Sequence, residues 1–280
     1  MKKYIAVLSM SLVLGASSGV YAGGGEAKGQ TKEDKDAMKA KVAEAAKAAA
    51  AAKEKVLALG KSKTASCIGC HSADGNSVVP ANPKLAGQNA AYLIKQLNDF
   101  ASGKRLDGPI GGEQKKGPKY GTTPGVMNGI AKTLKKEDIV LIANYFAAQK
   151  IKPGLASTDL KTLNKENLKA LGKKLYIGGN MKTGVPACMG CHGPAGKGNN
   201  AALYPAIGGQ HSAYTEAQLK HFRTAGLSWK AHINAKKVAP KDRAGRKNDK
   251  EFRMQAVVLR LTDIEIKALA SYLQGLRVAK

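Results

Sequence analysis

The longest regular pattern of polar and apolar residues runs from Lys32 to Leu59 and contains neither Gly nor Pro. It is rich in Ala, Lys and Glu, which favour helix, and exceeds the ~12–15 residues below which isolated helices are marginal. The pattern predicts one long helix with a narrow apolar seam. Because three of the seven seam residues are alanine and the seam buries little area, a solvated helix leading into a folded domain is favoured over one that packs on a partner or a second copy. The seam residues follow a 4-3 spacing: Met38, Val42, Ala45, Ala49, Ala52, Val56 and Leu59.

Two later helical patterns resemble each other and close the two halves of the chain. They run from Glu137 to Phe146 and from Thr262 to Leu273, and both open with acidic residues, as suits a helix N-terminus. A second shared pattern precedes each of them, so we predict two homologous all-helical units. Its copies are Pro83-Lys-Leu-Ala-Gly-Gln88 with Tyr92, Gln96, Leu97 and Phe100, and Pro205-Ala-Ile-Gly-Gly-Gln210 with Tyr214, Gln218, Leu219 and Phe222.

The amino terminus reads as an export signal. Lys2 and Lys3 precede an apolar stretch from Tyr4 to Gly15, and Val20-Tyr21-Ala22 is a small-residue cleavage site. An uncleaved anchor is the alternative, but the apolar stretch is short for a membrane span. The mature chain is therefore expected to be soluble and extracytoplasmic. The predicted segments are a signal peptide (1–22), a flexible lead and Ala/Lys-rich helix (23–54), a first domain (55–150), a linker broken by Pro153-Gly154 (151–162) and a second domain (163–280).

The composition is strongly basic and poor in large apolar residues. There are 46 Lys and Arg against 20 Asp and Glu, a net charge of +26, and aromatic residues make up only 5%. Such a charge inside a cell would indicate nucleic acid, which an exported protein seldom meets, so no nucleic-acid partner is predicted. The charge favours an acidic partner protein or an anionic membrane surface, although a generally solvated basic surface explains it equally well. A buried prosthetic group in each half would enlarge the modest core.

All four cysteines fall in two copies of one motif, Cys67-Ile-Gly-Cys70-His71 and Cys188-Met-Gly-Cys191-His192. The C-x-x-C-H spacing is typical of a c-type haem attachment site, in which two thiols bond to the porphyrin edge and the histidine supplies one axial nitrogen. Disulfides, a thioredoxin-like redox pair and a zinc site are the alternatives. They are disfavoured because no cysteine is left over and a histidine follows both pairs. Two covalently bound haem c groups are predicted.

The sixth ligand of each iron decides between a carrier and an enzyme, because methionine closes the iron and raises its potential. Met127 is the only methionine between His71 and the linker, in what we predict to be an irregular loop before the closing helix. Met254 holds the matching place in the second half, so Met127 and Met254 are the predicted axial ligands. Met181 and Met189 lie too close to the second attachment motif. The rivals for the second haem are three histidines that we interpret as ordinary surface residues: His211, His221 and His232.

In combination, these motifs and the late methionine in each half resemble the dihaem cytochromes c4, over roughly residues 55–278. The resemblance implies two class I cytochrome c domains related by a pseudo-twofold axis, with the haem propionate edges facing each other. Such proteins are periplasmic, often loosely membrane-associated, and pass electrons toward terminal oxidases. In c-type cytochromes a proline carbonyl orients the proximal histidine, a role that the resemblance assigns to Pro83 and Pro205. Two features depart from the family: the long helix at 32–59 and a basic insertion at 235–250.

The predicted function is therefore electron transfer and not catalysis, from a respiratory donor toward a terminal oxidase through two His/Met-ligated haems. The expected partners are redox proteins with acidic docking surfaces, with peripheral membrane association as an option. One alternative is the electron-accepting subunit of a periplasmic dehydrogenase, for example in sulfide or thiosulfate oxidation. Another is a dihaem peroxidase, which needs one open haem.

Overall fold

A computed structural model describes residues 31–107, 124–155, 167–235 and 245–276, with residues 228–235 and Lys250 described by their backbone alone. The predicted signal peptide (1–22), the start of the lead (23–30) and the middle of the basic insertion (236–244) lie outside the described residues. The chain divides into two compact units, Met1–Leu59 and Gly60–Lys280. The second unit holds both C-x-x-C-H motifs.

The long helix predicted from the polar and apolar pattern is present as α1 (Lys32–Ser62), three residues longer than expected. The chain enters it with a reciprocal cap. The Asp34 amide donates to Thr31 Oγ1 at 3.2 Å, and the Thr31 amide donates back to Asp34 Oδ2 at 3.0 Å. Met38 and Val42 of the apolar seam are exposed. These exposures are what we expect of a solvated helix.

The rest of the described chain is helical, as predicted, and contains isolated β-bridges but no strand. The first half consists of α2 (Ala65–His71), α3 (Ala90–Ala101), α4 (Val126–Thr133) and α5 (Lys136–Ala148). The second half consists of α6 (Leu168–Gly178), α7 (Met189–His192), α8 (Ser212–Ala235), a short 3-10 helix (Lys250–Phe252), α9 (Arg253–Val258) and α10 (Asp263–Gly275). Among the described helices, none is long and apolar enough to cross a membrane.

Each half is built around its closing helix. In the first half α3 packs on α4 and α5, and in the second half α8 packs on α9 and α10, which also carries α6. The first core contains Leu93, Ile142, Ala143, Tyr145 and Phe146. The second core is larger and contains Leu175, Tyr176, Val185, Phe222, Val258, Leu261, Ile266, Leu269 and Leu273.

One glycine in each half allows the entering helix to lie close on the closing helix. A Cβ atom at Gly60 would lie 2.5 Å from the Leu141 carbonyl oxygen, and one at Gly172 would lie 2.1 Å from that of Ala268. Both distances are impossible for real atoms, so only glycine permits these contacts without a shift of backbone. Gly60 therefore lies against the backbone of α5, and Gly172 lies against the backbone of α10.

Candidate cofactor site

The two halves of the Gly60–Lys280 unit together enclose one continuous cavity of about 910 Å³. It lies at the upper end of the roughly 300–1,000 Å³ that ligand pockets span. Apolar side chains such as Leu93, Phe100 and Phe222 form most of its wall. Both attachment motifs and both predicted methionines line it, so residues far apart in the sequence are brought to one space: Cys67, Cys70, His71, Met127, Cys188, Cys191, His192 and Met254.

Each motif histidine is buried and held by the predicted proline. Nδ1 of His71 lies 2.8 Å from the Pro83 carbonyl oxygen, and Nδ1 of His192 lies 3.0 Å from that of Pro205. A carbonyl only accepts, so Nδ1 carries the proton and Nε2 keeps its lone pair for a metal. Burial lowers the pKa of both histidines, which favours the neutral form that ligates. The prediction for the two prolines is confirmed.

The four cysteines are free of disulfides and stand at the cavity wall. The first cysteine of each motif is half-buried and the second is exposed. Burial raises the pKa of the Cys67 thiol and raises that of Cys188 to about 11. Each motif thus presents two unpaired thiols beside a buried histidine, along one turn of helix in α2 and in α7.

Both predicted methionines are half-buried residues of the cavity wall, but neither lies in an irregular loop. Met127 is the second residue of α4, and Met254 is the second residue of α9. The loop prediction was wrong because Pro124 and Gly125 immediately precede a helix instead of interrupting one. Met181 is 90% exposed, and Met189 packs against the second core.

The rival histidines are not ordinary surface residues where the structure describes them. His211 is half-buried, and its Nε2 lies 2.7 Å from the Ser77 carbonyl oxygen of the first half. His221 is half-buried in the cavity wall, where burial and then the charges of Arg246 and Arg105 lower its pKa to about 4. The surface interpretation is therefore wrong for both. The side chain of His232 lies outside the described residues.

A hydrogen-bonded framework fixes the segment that carries Met127. The carboxylate of Asp107 accepts from the Met127 amide at 2.8 Å and from the Asn128 amide at 3.3 Å. Asn128 is only 1% exposed, and its side chain accepts from the amides of Asp107 and Gly125. Its amide group donates to the carbonyl oxygens of Phe100 and Arg105, at 2.8 and 2.7 Å. One asparagine thus ties the end of α3 to the start of α4.

Two buried arginines lie where the halves meet at the cavity. Arg105 is 7% exposed and Arg246 is 8% exposed. Each guanidinium group stacks on the phenylalanine of its own half, 4.4 Å from the ring centroid of Phe100 or Phe222. This contact is a cation–π interaction in a desolvated setting. Arg246 belongs to the basic insertion, so this charge of the insertion is buried and not presented to solvent.

Each arginine also reaches across to the tyrosine of the opposite half. Arg105 donates to the Tyr214 hydroxyl at 3.0 Å, and Arg246 donates to the Tyr92 hydroxyl at 2.7 Å. Among the described residues, the hydrogen-bond acceptors of both guanidinium groups are neutral. Buried cations of this kind call for an anion. Both groups further donate to two side-chain carbonyl oxygens, those of Gln96 and Gln218.

The glutamines that end the repeated Pro-to-Gln segments also cross between the halves. Gln88 donates to the Ala206 carbonyl oxygen and accepts from its amide, both at 2.8 Å. Gln210 forms the same pair of bonds with Lys84, at 2.9 and 2.8 Å. The repeat singled out both glutamines, but the sequence did not show that each one hydrogen-bonds to the backbone of the other half.

These side chains fit two haem c groups. The cavity is largely apolar, as a porphyrin requires, and each end offers two free thiols and a neutral histidine with Nε2 available. The buried Arg105 and Arg246 supply the positive charge that haem carboxylates would neutralise. The thiols, the histidines and the arginines thus match the porphyrin edge, the iron and the carboxylates of the cofactor.

Comparisons with known proteins agree with this geometry. The family model for cytochrome c matches residues 57–150 and again residues 169–277. A cytochrome c4 of Pseudomonas aeruginosa is 37% identical over 78% of this chain and 88% of its own length. A thiosulfate dehydrogenase electron acceptor of Thiomonas intermedia is 33% identical over 77% of this chain and 81% of its own. The crystal structure of reduced recombinant cytochrome c4 from Pseudomonas stutzeri is 38% identical, with a TM-score of 0.59, over 78% of this chain and 97% of that one.

Proposed function

Because the chain belongs to the cytochrome c4 family of dihaem electron carriers, we propose that it passes single electrons through two His/Met-ligated haems held in one cavity. The cofactors are two covalently bound haem c groups, which supply the ferric–ferrous couple. The chain itself is a carrier and not an enzyme. The observation that supports this proposal best is the shared cavity, because it brings both histidines and both methionines into one apolar enclosure.

The residues divide into three tasks in each half. Cys67 and Cys70 hold the first haem and Cys188 and Cys191 the second, through thioether bonds. His71 and His192 would each supply a nitrogen ligand to the iron, with Pro83 and Pro205 fixing their ring orientation. The sulfurs of Met127 and Met254 would each supply a second ligand to the iron.

The remaining cavity residues would exclude water from the two cofactors and hold their carboxylates. Phe100 and Phe222 contribute apolar wall, and each carries a stacked arginine at the boundary between the halves. Arg105 and Arg246 would bind haem carboxylates there. The domain limits 55–150 and 163–280 belong to the same proposal, with 151–162 as the linker and 1–22 as a cleaved signal peptide.

The partners are redox proteins of the cytochrome or dehydrogenase kind. The net charge of +26 supports acidic docking surfaces on them, and the signal sequence supports a periplasmic location, with peripheral attachment to an anionic membrane. In this setting electrons run from a respiratory donor toward a terminal oxidase. Electron-transfer rates should fall as salt rises, because the Debye length shrinks from about 10 Å at 0.1 M to about 3 Å at 1 M. Salt-independent rates would leave the charge without a docking role.

The second candidate is the electron-accepting subunit of a dehydrogenase. It is favoured by the relative from Thiomonas intermedia, a thiosulfate dehydrogenase electron acceptor. Purification from the native host distinguishes the two candidates. If an enzyme copurifies with this chain in a fixed ratio, the chain is a subunit and not a free carrier.

The ligand assignment is tested by Met127→Leu and Met254→Leu in the haem-loaded protein. Each change should abolish half of the ferric methionine–haem charge-transfer band and lower the potential of one haem, because the sulfur ligand is lost. The matched control is Met181→Leu, since Met181 is exposed and away from the cavity. Retention of the full band in either variant would overturn the assignment. Ready binding of cyanide or peroxide to the unmodified protein would favour the peroxidase alternative.

A further inference from the structure

We propose that Gln88 and Gln210 are positioning residues for the opposite half: each tunes the proximal histidine, and hence the potential, of the haem that the other half holds. The proposal rests on the ligand roles given above to His71 and His192. It concerns two buried side chains, each of which hydrogen-bonds to the peptide group that also binds a motif histidine of the other half.

The first link is a single peptide group between Pro83 and Lys84. Its carbonyl oxygen accepts from Nδ1 of His71 at 2.8 Å, and its N–H donates to Oε1 of Gln210 at 2.8 Å. The donor and the acceptor therefore belong to the same conjugated amide. Gln210 lies in the second half, so the chain of bonds from the first histidine ends across the boundary.

The second link repeats the first with the halves exchanged. The peptide group between Pro205 and Ala206 accepts from Nδ1 of His192 at 3.0 Å and donates to Oε1 of Gln88 at 2.8 Å. Both glutamines are buried. Low surrounding dielectric strengthens such bonds, and bonds in a chain polarise one another.

The direction of the effect follows from the amide. When its N–H donates, the carbonyl becomes a better acceptor and draws the histidine proton more strongly. The imidazole then becomes a stronger electron donor, which stabilises ferric over ferrous iron and lowers the potential. Loss of the glutamine oxygen should weaken the histidine bond and raise the potential of the haem in the opposite half.

The experiment uses the full haem-loaded chain with Gln210→Leu and Gln88→Leu. In Gln210→Leu the Nδ1–H resonance of His71 should move upfield, and the first-half haem should rise in potential. In Gln88→Leu the same changes should appear at His192 and the second-half haem. Either change should alter the equilibrium constant for electron exchange between the two haems by roughly two- to tenfold. This is the effect expected when the strength of one buried hydrogen bond changes by about 10–30%.

Gln274→Leu is the matched control. Gln274 also makes two backbone bonds, accepting from the Ser212 amide at 2.8 Å and donating to the Leu155 carbonyl at 2.7 Å. Neither of those peptide groups contacts a motif histidine. Gln274→Leu should leave both potentials and both Nδ1–H resonances unchanged.

The pattern across the halves decides the outcome. The inference would be overturned if the potential and the Nδ1–H resonance changed only in the half that contains the substituted glutamine, or changed equally in both halves. It would also be overturned if neither changed more than in the control. If Gln210→Leu does not fold, Gln210→Glu retains an acceptor for Lys84, and a raised first-half potential would then contradict the proposal. Absence of methionine and histidine ligand signals in the unmodified protein would instead refute the proposed function.

Discussion

The two halves hold their cavity methionines with different frameworks. In the first half, Asn128 follows Met127 and its side chain makes four hydrogen bonds to backbone. In the second half, Gln255 follows Met254, and both its backbone amide and its Nε2 donate to Asp249. The side-chain oxygen of Gln255 is buried and has no partner among the described residues. The repeat therefore preserves the position of the methionine and not the bonds that hold it.

The halves differ also in the charge beside the cavity. Asp99 of α3 and His221 of α8 occupy matching places in the repeat. Asp99 is buried, pairs with Lys95 and accepts from Asn248 at 2.7 Å. His221 faces the two arginines of the boundary, and its pKa falls to about 4. An acidic residue in the first half and a histidine in the second thus occupy equivalent positions of the repeat.

The largest expected difference between the halves concerns the residue after the methionine. Asn128→Leu would remove four hydrogen bonds to backbone. The Phe100 carbonyl oxygen keeps the Gly103 amide as a partner, but the Arg105 carbonyl and the Asp107 and Gly125 amides would lose the bonds described above. At about 1–3 kcal/mol for each such group, the change should cost roughly 3 kcal/mol or more of unfolding free energy. It should also weaken the methionine–haem band of the first haem. Gln255→Leu removes an unpartnered oxygen and a single donor bond, from Nε2 to Asp249, while the backbone bond to Asp249 remains. It should therefore cost less than about 2 kcal/mol.

Guanidinium unfolding of the haem-loaded protein measures both variants, with the methionine–haem band as the local probe. Equal costs would show that the framework around Met127 contributes no more than the one around Met254. A larger cost for Gln255→Leu would reverse the comparison.

The next effect is the pH dependence that His221 gives to the second half. His221 is neutral in the folded protein down to about pH 4, whereas its unfolded pKa is near 6.5. Between these values the unfolded chain binds a proton that the folded chain does not, so stability present above pH 6.5 is lost as pH falls toward 4. The loss amounts to roughly 3 kcal/mol.

His221→Gln should remove this part of the acid destabilisation while leaving stability at pH 8 nearly unchanged. Unfolding free energies at pH 8, 6 and 4.5 provide the measurement, with His211→Gln as the comparison. A variant that loses stability between pH 6.5 and 4 as steeply as the unmodified protein would refute the assignment to His221.

The smallest effect concerns the closing helices. The start of α10 has a reciprocal cap, in which Thr262 Oγ1 accepts from the Glu265 amide at 3.3 Å and Glu265 accepts from the Thr262 amide at 2.8 Å. The matching residue before α5 is Lys135, which makes no capping bond from its side chain. Thr262→Ala should cost about 1 kcal/mol, and Lys135→Thr should add about 0.5–1 kcal/mol.

Thermal unfolding measures both changes, and the variant Lys135→Ser is a control that should behave like Lys135→Thr. If Lys135→Thr destabilised the protein, the apolar part of the lysine side chain would contribute more to stability at this position than a capping hydrogen bond does.

Much of this architecture could be predicted from the sequence because it is encoded in local patterns. Uninterrupted helix formers predicted α1, and the repeat led to Met127 and Met254, both of which lie at the cavity. The proline partners of His71 and His192 were predictable from the family resemblance.

The boundary between the halves could not be predicted because it joins residues that no local pattern relates. Arg105 comes shortly after Phe100, whereas Arg246 follows Phe222 only after the rest of α8 and the segment beyond it. The repeat therefore does not align them, and only the fold shows that both stack on equivalent rings. The burial of His221 escaped prediction for a related reason, since its surroundings include Arg105 from the other half.

The crossed glutamine bonds have the form of a twofold homodimer interface. Gln88 meets Ala206 and Gln210 meets Lys84, so the same two positions of the repeat pair with their roles exchanged. In a single chain the association is intramolecular, with an effective concentration on the order of millimolar for a short tether, and dilution does not separate the copies. Lys84 and Ala206 contribute only backbone atoms to these bonds. These bonds therefore place no requirement on the side chains at the two positions, and the contact is symmetric although the residues differ.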